Sequence, residues 1–337
     1  MPSRRTSTIG LAGTGRIGTL HAETLTALPT VATVVLTDAD TDRAHTVATD
    51  LGAEFAPDLD ALFAADLDGL VIATGTDSHP ELITRAVDAG IPVFCEKPVA
   101  ADLAGTLAVI EHIENSSVPV QIGFQRRFDA GYRAVRGAIS SGRLGRLHTV
   151  RATTLDPAPP PAEYIARSGG LFRDCGVHDF DIIRWVTGRE VVEVCALGAN
   201  RGEEFIAEAG DVDTAAVVLR LDDGTLATVS LTRYNGTGYD VRLEALGSEG
   251  NAVVGVDGVA PLDPVGAGRT ASYFYTGFLE RFRSAYAEEL SAFVAVVTGE
   301  LDSPCSPIDA LEACYVAEAC ELSRRAGRAV EVSEIRD

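Results

Sequence analysis

The chain has 337 residues, a formal net charge of −21 and 46% hydrophobic residues. That length suits two packed domains rather than one core, and the composition excludes wholesale disorder. The charge excludes a nucleic-acid backbone or an anionic membrane as the main partner, because both need a basic face.

Residues 8–12 form a short apolar run that leads into Gly13-Thr14-Gly15-Arg16-Ile17-Gly18, a G-x-G-x-x-G pattern. An amphipathic helix is expected over 17–27 and a second strand over 32–37. Strand before and helix after make this a dinucleotide-binding loop. Its glycines allow a tight turn, close approach of backbone to a pyrophosphate, and packing of helix on strand. The first helical N–H groups, at Arg16, Ile17 and Gly18, face the phosphates. Asp38 stands at the end of the second strand, twenty positions beyond Gly18. A carboxylate there accepts hydrogen bonds from the adenosine ribose hydroxyls and repels a 2′-phosphate, which favours NAD over NADP. The alternative is a turn-capping role within the acidic run Asp38, Asp40, Asp42. Arg43 is close enough to retain some NADP binding.

The strand–helix rhythm continues. A strand is expected over 70–74, then a helix capped by Asp77 or Ser78 with Pro80 in its first turn, stopping at Gly90. A strand over 91–95 ends in Glu96-Lys97-Pro98, and a helix over 103–114 and a strand over 118–124 complete the series. This alternation predicts a doubly wound parallel sheet, an α/β Rossmann domain over 1–123. Ligands of such sheets lie at the carboxyl ends of the strands, where Gly13, Thr74, Glu96 and Lys97 fall. The Lys97 ammonium is suited to polarise a substrate hydroxyl or hold the nicotinamide ribose; the alternative is a solvated lysine paired with Glu96.

From residue 124 the pattern changes. A helix over 130–140 is followed by strands over 147–154, 191–199, 214–221, 225–232, 241–247 and 251–256. Asp222-Asp223-Gly224 is a hairpin signal. Residues 124–337 are expected to form an α+β domain, an open and mainly antiparallel sheet with helices on one face. Helices over 281–298 and 308–326 are expected to cover its core.

The second cluster of chemistry is Gly169-Gly170-Leu171-Phe172-Arg173-Asp174-Cys175-Gly176-Val177-His178-Asp179-Phe180-Asp181. Taken as α-helix from Asp174 onward, it places Asp174, His178 and Asp181 within about 60° of one another. Asp179 points away and reads as a surface carboxylate. A histidine flanked by two acids suits a general base: one acid orients the imidazole and the other meets substrate. A structural histidine, or a metal bound by the same three residues, is the alternative; no metal is assigned.

GTGRIG, the EKP at a strand end, GFQRRFD after it, and GGLFRDCGVHDFDIIRW together resemble the Gfo/Idh/MocA oxidoreductases over essentially the whole chain. Within that family the D-x-x-x-H-x-x-D helix is similar to that of the inositol 2-dehydrogenase branch, as are Asp156-Pro157-Ala158-Pro159 with Tyr164-Ile165-Ala166, and the segment 238–244. The resemblance implies NAD as cofactor. It implies that Lys97, Asp174 and His178 surround the substrate, with Asp156 and Tyr239 near the polyol and Arg127 near the cofactor or in an inter-domain ion pair. It also implies a Lys97–Pro98 peptide that is often cis, and dimers or tetramers formed through the C-terminal sheet. Two departures stand out: Thr74-Gly75-Thr76 replaces Ser-Pro-Thr, and Leu155 stands where close relatives carry arginine.

The expected activity is oxidation of a ring hydroxyl of a small neutral cyclic polyol or sugar, myo-inositol to 2-keto-myo-inositol. In it His178 removes the proton, Lys97 stabilises the alkoxide and Asp181 supports His178. The alternatives are an NAD-dependent glycosidase of the same family and a non-catalytic NAD or sugar sensor.

Cys95, Cys175, Cys195, Cys305, Cys314 and Cys320 form no C-x-x-C pair and no zinc or disulfide spacing. They read as free thiols of a cytoplasmic protein. Arg4 and Arg5 are followed by no apolar export segment and read as a solvated leader. No run approaches the ~18 apolar residues of a membrane span.

Overall fold

The computed structural model describes residues 6–256 and 274–336; Arg4 and Arg5 lie outside them. Two compact units emerge, Met1–Gln125 with Ser284–Leu311, and Arg126–Arg283 with Glu312–Asp337.

The first unit is built on six strands: β1 (Ser7–Ala12), β2 (Val31–Thr37), β3 (Glu54–Phe55), β4 (Gly69–Ile72), β5 (Val93–Glu96) and β6 (Val120–Gly123). They pair in the order β3-β2-β1-β4-β5-β6, every pair parallel. This is the doubly wound arrangement, in which the strand order reverses between β1 and β4 and opens a crevice at their carboxyl ends. Ile9, Leu11, Val71 and Phe94 are buried in its core, which explains why these strands read as continuous apolar runs.

One expectation needs correction. The helix expected over 281–298 was assigned to the second domain, but the Arg283–Val297 helix packs Leu290, Phe293 and Val294 into the core of Ile9, Leu11 and Phe94. Beyond it, Ile122 N–H donates to the Cys305 carbonyl at 2.9 Å and the Ser303 hydroxyl to the Val120 carbonyl at 2.9 Å. A buried stripe shows that a helix has a core to cover; it carries no information about which one.

The second unit holds a seven-stranded sheet. Its strands are β7 (Leu147–Leu155), β8 (Val191–Ala199), β9 (Thr214–Leu221), β10 (Leu226–Thr232), β11 (Asp240–Gly247), β12 (Asn251–Val254) and β13 (Val330–Glu331). The order is β12-β11-β7-β10-β9-β8-β13, antiparallel except for β10 beside β7. The Asp222-Asp223-Gly224 turn joins β9 to β10, with Gly224 at φ +86°.

Alternation along these strands buries one face. Val150, Ala152, Val217, Leu219, Val229, Leu243 and Ala245 point inward. The other face is open. Register sets Val253, Glu244, Arg151, Thr228, Val218 and Cys195 in one row across it, and Leu197, Val218 and Val253 are exposed there.

Candidate active site

In the first unit the loop after β1 has the geometry its sequence requires. Gly13 lies at φ +97°, and a side chain there would strike the Ala73 carbonyl. A side chain on Gly18 would collide with the Gly13 carbonyl oxygen. Gly15 differs: a Cβ added to it meets nothing within 4 Å. It also caps the Arg16–Ala27 helix, whose first turn has no side-chain cap and no acidic residue. Open space above an uncapped helix N-terminus is a cradle for an anion, so these residues fit a dinucleotide pyrophosphate.

Asp38 follows β2, and its side chain is almost fully covered. One oxygen accepts from the Thr14 N–H at 2.5 Å and the Thr14 hydroxyl at 3.1 Å. The other accepts from Asp40 N–H at 2.8 Å and from the Arg43 guanidinium at 2.7 Å. Burial opposes its charge, yet the Thr14 N–H, Arg43 and the Asp40 N–H prevail and hold the carboxyl below its ordinary value. Asp38 is thus anchored to the loop after β1.

Thr74 follows β4, where its hydroxyl accepts from Ser78 at 2.7 Å. Ser78 caps the His79–Asp88 helix by position, but its side chain makes no cap bond. His79, which sequence reasoning passed over, ties two ligand-side loops together: Nδ1 bonds the Pro98 carbonyl at 2.7 Å and Nε2 approaches the Thr74 carbonyl at 3.3 Å. The Lys97–Pro98 peptide is cis, and Lys97 is partly exposed. Glu96 turns inward, its Oε1 2.7 Å from Nε2 of the buried His21. His21 packs edge-on against Phe94 and Tyr286.

In the second unit the helix that carries His178 opens with a π-helical turn, Phe172–Gly176, before the α-helix Val177–Thr187. The even 100° spacing assumed from Asp174 onward therefore fails across the first turn, since a π turn closes i→i+5 and advances less per residue. Asp174 and Asp181 accordingly meet different partners. Asp174 accepts from the Tyr164 hydroxyl at 2.8 Å and pairs with the Arg233 guanidinium at 2.9 Å. Asp181 is buried and grips Arg127 through both oxygens, at 3.0 and 2.5 Å. Within its own unit Arg127 thus has Asp181 as an ion-pair partner. Among the described residues, no three His, Cys, Asp or Glu side chains gather as a metal cluster.

Asp179 overturns its surface assignment. It is 0% exposed, pairs with Arg126 at 2.8 Å and accepts from the Thr154 hydroxyl at 2.7 Å. Angle on a helical wheel indicates a face, but here a cation from residue 126 makes the buried side habitable for a charge. Removing one member leaves the other charged and unpaired in the core. Asp179→Ala is expected to cost about 3–5 kcal/mol, readable as a fall in the denaturant midpoint at unchanged slope.

Asp156 and Tyr239 lie in one neighbourhood with Asp174. Asp156 is approached by Arg233 at 3.4 Å and by the Cys175 thiol at 3.5 Å. Burial pushes its carboxyl above the ordinary value, and Arg233 opposes that. Tyr239 is buried, its hydroxyl pushed well up by burial, with Arg126 opposing and Asp156 adding to the rise. Leu155 ends β7 opposite Asp240 of β11 and Thr232 of β10. Arg233 was missed from the sequence; it is 2% exposed, donates to the Cys175 sulfur at 3.0 Å and to Asp156 at 3.4 Å, and forms an ion pair with Asp174 at 2.9 Å.

A parallel sheet with a phosphate cradle and a ribose carboxylate, followed by a sheet unit with an acid–histidine helix, defines an NAD-binding oxidoreductase. Residues 7–124 match the oxidoreductase family's NAD-binding Rossmann fold, and residues 132–253 match the GFO/IDH/MocA C-terminal domain. The chain belongs to the Gfo/Idh/MocA oxidoreductase family. It is 40% identical to a myo-inositol dehydrogenase of Streptomyces leeuwenhoekii, covering 95% of this chain and 98% of that protein. It is 37% identical to the myo-inositol 2-dehydrogenase of Thermotoga maritima over 97% of this chain and 99% of the relative. Among solved structures, scyllo-inositol dehydrogenase from Lactobacillus casei, with bound NAD(H) and scyllo-inositol, superposes with a TM-score of 0.88 at 30% identity, covering 97% of this chain and 99% of that one.

Proposed function

We propose that this NAD-dependent dehydrogenase oxidises a ring hydroxyl of a neutral cyclic polyol, and that its substrate is myo-inositol, converted to 2-keto-myo-inositol. The observation that carries the reading is Asp174. Tyr164 and Arg233 fix this carboxylate four residues before His178, on one continuous helix. The relatives named above, matched along nearly their whole length, are inositol dehydrogenases.

NAD, when bound, would supply the hydride acceptor for the carbon that bears the reacting hydroxyl. Gly13, Gly15, Arg16, Ile17 and Gly18 hold its pyrophosphate through backbone N–H groups, Asp38 its adenosine ribose, and Thr74 borders it. His178 takes the hydroxyl proton, Asp174, Asp156 and Tyr239 bind neighbouring hydroxyls, and Lys97 stabilises the oxygen as it gains charge. Asp181, one turn on from His178 and fixed by Arg127, supports the histidine from the buried side. Glu96, bound to His21, stiffens the strand end that carries Lys97.

The test is a spectrophotometric assay with NAD and myo-inositol, with scyllo-inositol, glucose and xylose in parallel. The expected result is NADH release, largest with myo-inositol. A glycosidase would recycle the cofactor without net NADH, and a sensor would bind NAD without turnover.

We also propose that copies associate through the open sheet face, whose Leu197, Val218 and Val253 would otherwise stay wet. Light scattering that returns a monomer would contradict this. The free cysteines fit a reducing cytoplasm, and among the described residues no helix is long and apolar enough to cross a membrane.

A further inference from the structure

We propose that Arg233 is a positioning residue of the reaction: its buried guanidinium holds the two polyol-facing carboxylates, Asp174 and Asp156, ionised and fixed in place. The inference rests on the polyol reading of this site.

Arg233 follows β10 and is 2% exposed. It lies 2.9 Å from Asp174 and 3.4 Å from Asp156, with the Cys175 sulfur at 3.0 Å. The backbone places it firmly, since its N–H donates to the Asp213 carbonyl at 2.8 Å. Both carboxylates thus meet this buried guanidinium, their side chains only 22% and 11% exposed. Among the described residues, titratable groups that face the cluster include the Cys175 thiol, which donates to Asp156, Tyr164 from the Ala162–Ile165 turn, whose hydroxyl donates to Asp174, and Tyr239 ahead of β11, which senses Arg126 and Asp156. Arg233 is the cation in direct contact with both acids, and its own proton is held more tightly than usual despite burial. Without it, one acid would protonate in the working pH range, because like charges in a shared site cannot both ionise. A protonated acid donates where the substrate needs an acceptor. An arginine suits this better than a lysine because its planar fork spans two partners.

Burial raises the Asp156 carboxyl above its ordinary value in the folded state, with Arg233 limiting the rise, so its ionisation costs some stability as pH rises through the carboxylate range. Loss of Arg233 enlarges that cost. The melting-temperature deficit of Arg233→Gln against wild type should therefore be small near pH 4.5 and grow towards pH 8. The acid limb of its kcat/KM profile for myo-inositol should move up by about 1–3 pH units.

Arg233→Lys, which keeps the charge, should restore the pH position of that limb while leaving kcat/KM below wild type. Arg233→Gln combined with Asp156→Asn, which removes the second acid, should flatten the pH-dependent deficit. If Arg233→Gln does not fold, Asp156→Asn in the wild-type background carries the test, and its gain in melting temperature should increase with pH. A deficit equal at all pH values, with an unmoved acid limb, would overturn the proposal. Wild-type inactivity on every polyol would overturn the substrate reading instead, while the melting curves still report on Arg233.

Discussion

His178→Ala is expected to lower kcat for polyol oxidation by about 10²–10⁴-fold, with NAD affinity unchanged. His178 lies in the second turn of a helix whose first turn, Phe172–Gly176, is π-helical and anchored by Asp174 to Tyr164 and Arg233. The substitution would remove the proposed proton acceptor while the ion pairs of Asp174, Asp179 and Asp181 continue to hold the helix. The loss should shrink as pH rises, since hydroxide in the solvent takes over part of the proton's removal. Steady-state rates from pH 6 to 10, with NAD binding followed by calorimetry, check both halves. Near-normal turnover at every pH would take the general base away from His178.

Asp38→Ala is expected to change which dinucleotide the enzyme uses. Loss of a charged acceptor for the ribose hydroxyls should lower kcat/KM with NAD by roughly 10–150-fold, corresponding to about 1.5–3 kcal/mol. The same change releases Arg43, whose guanidinium stands 2.7 Å from the Asp38 carboxylate, to meet a 2′-phosphate. NADP activity should therefore rise in Asp38→Ala and fall again in the double variant with Arg43→Ala. An unchanged ratio of NAD to NADP efficiency would remove Asp38 from the ribose. A ratio that shifts equally with and without Arg43 would leave only repulsion by Asp38 in play.

These two residues mark what was legible in the sequence. The phosphate loop, Asp38 and the strand-end Lys97 are encoded locally, because a βαβ unit forces neighbours in sequence to one end of the sheet. Six strands of the second unit were equally plain from period-two alternation, and the Asp222-Asp223-Gly224 turn fixes the register of β9 on β10, whereas the two-residue β13 (Val330–Glu331) was too short to read. Partners far apart were not legible. Asp179 is buried by Arg126, 53 residues before it, and Asp156 meets Arg233, 77 residues after it. Neither pairing has a spacing signature, so one read as a surface acid and the other arginine went unnoticed. The π turn was hidden for a related reason: Gly176 weakens the helix locally, but no residue type in Phe172-Arg173-Asp174-Cys175-Gly176 distinguishes a π turn from an α turn. The Arg283–Val297 helix shows the same limit at the scale of an element, since its apolar stripe did not say that Ile9, Leu11 and Phe94 were its partners.

The most direct test of the central claim is to supply NAD with myo-inositol deuterated at carbon 2 and analyse both products. The account requires one deuterium on the nicotinamide ring for each 2-keto-myo-inositol formed, with a slower rate than for the protonated substrate wherever hydride transfer limits turnover. Full NAD binding with no label on the cofactor and no ketone would contradict it.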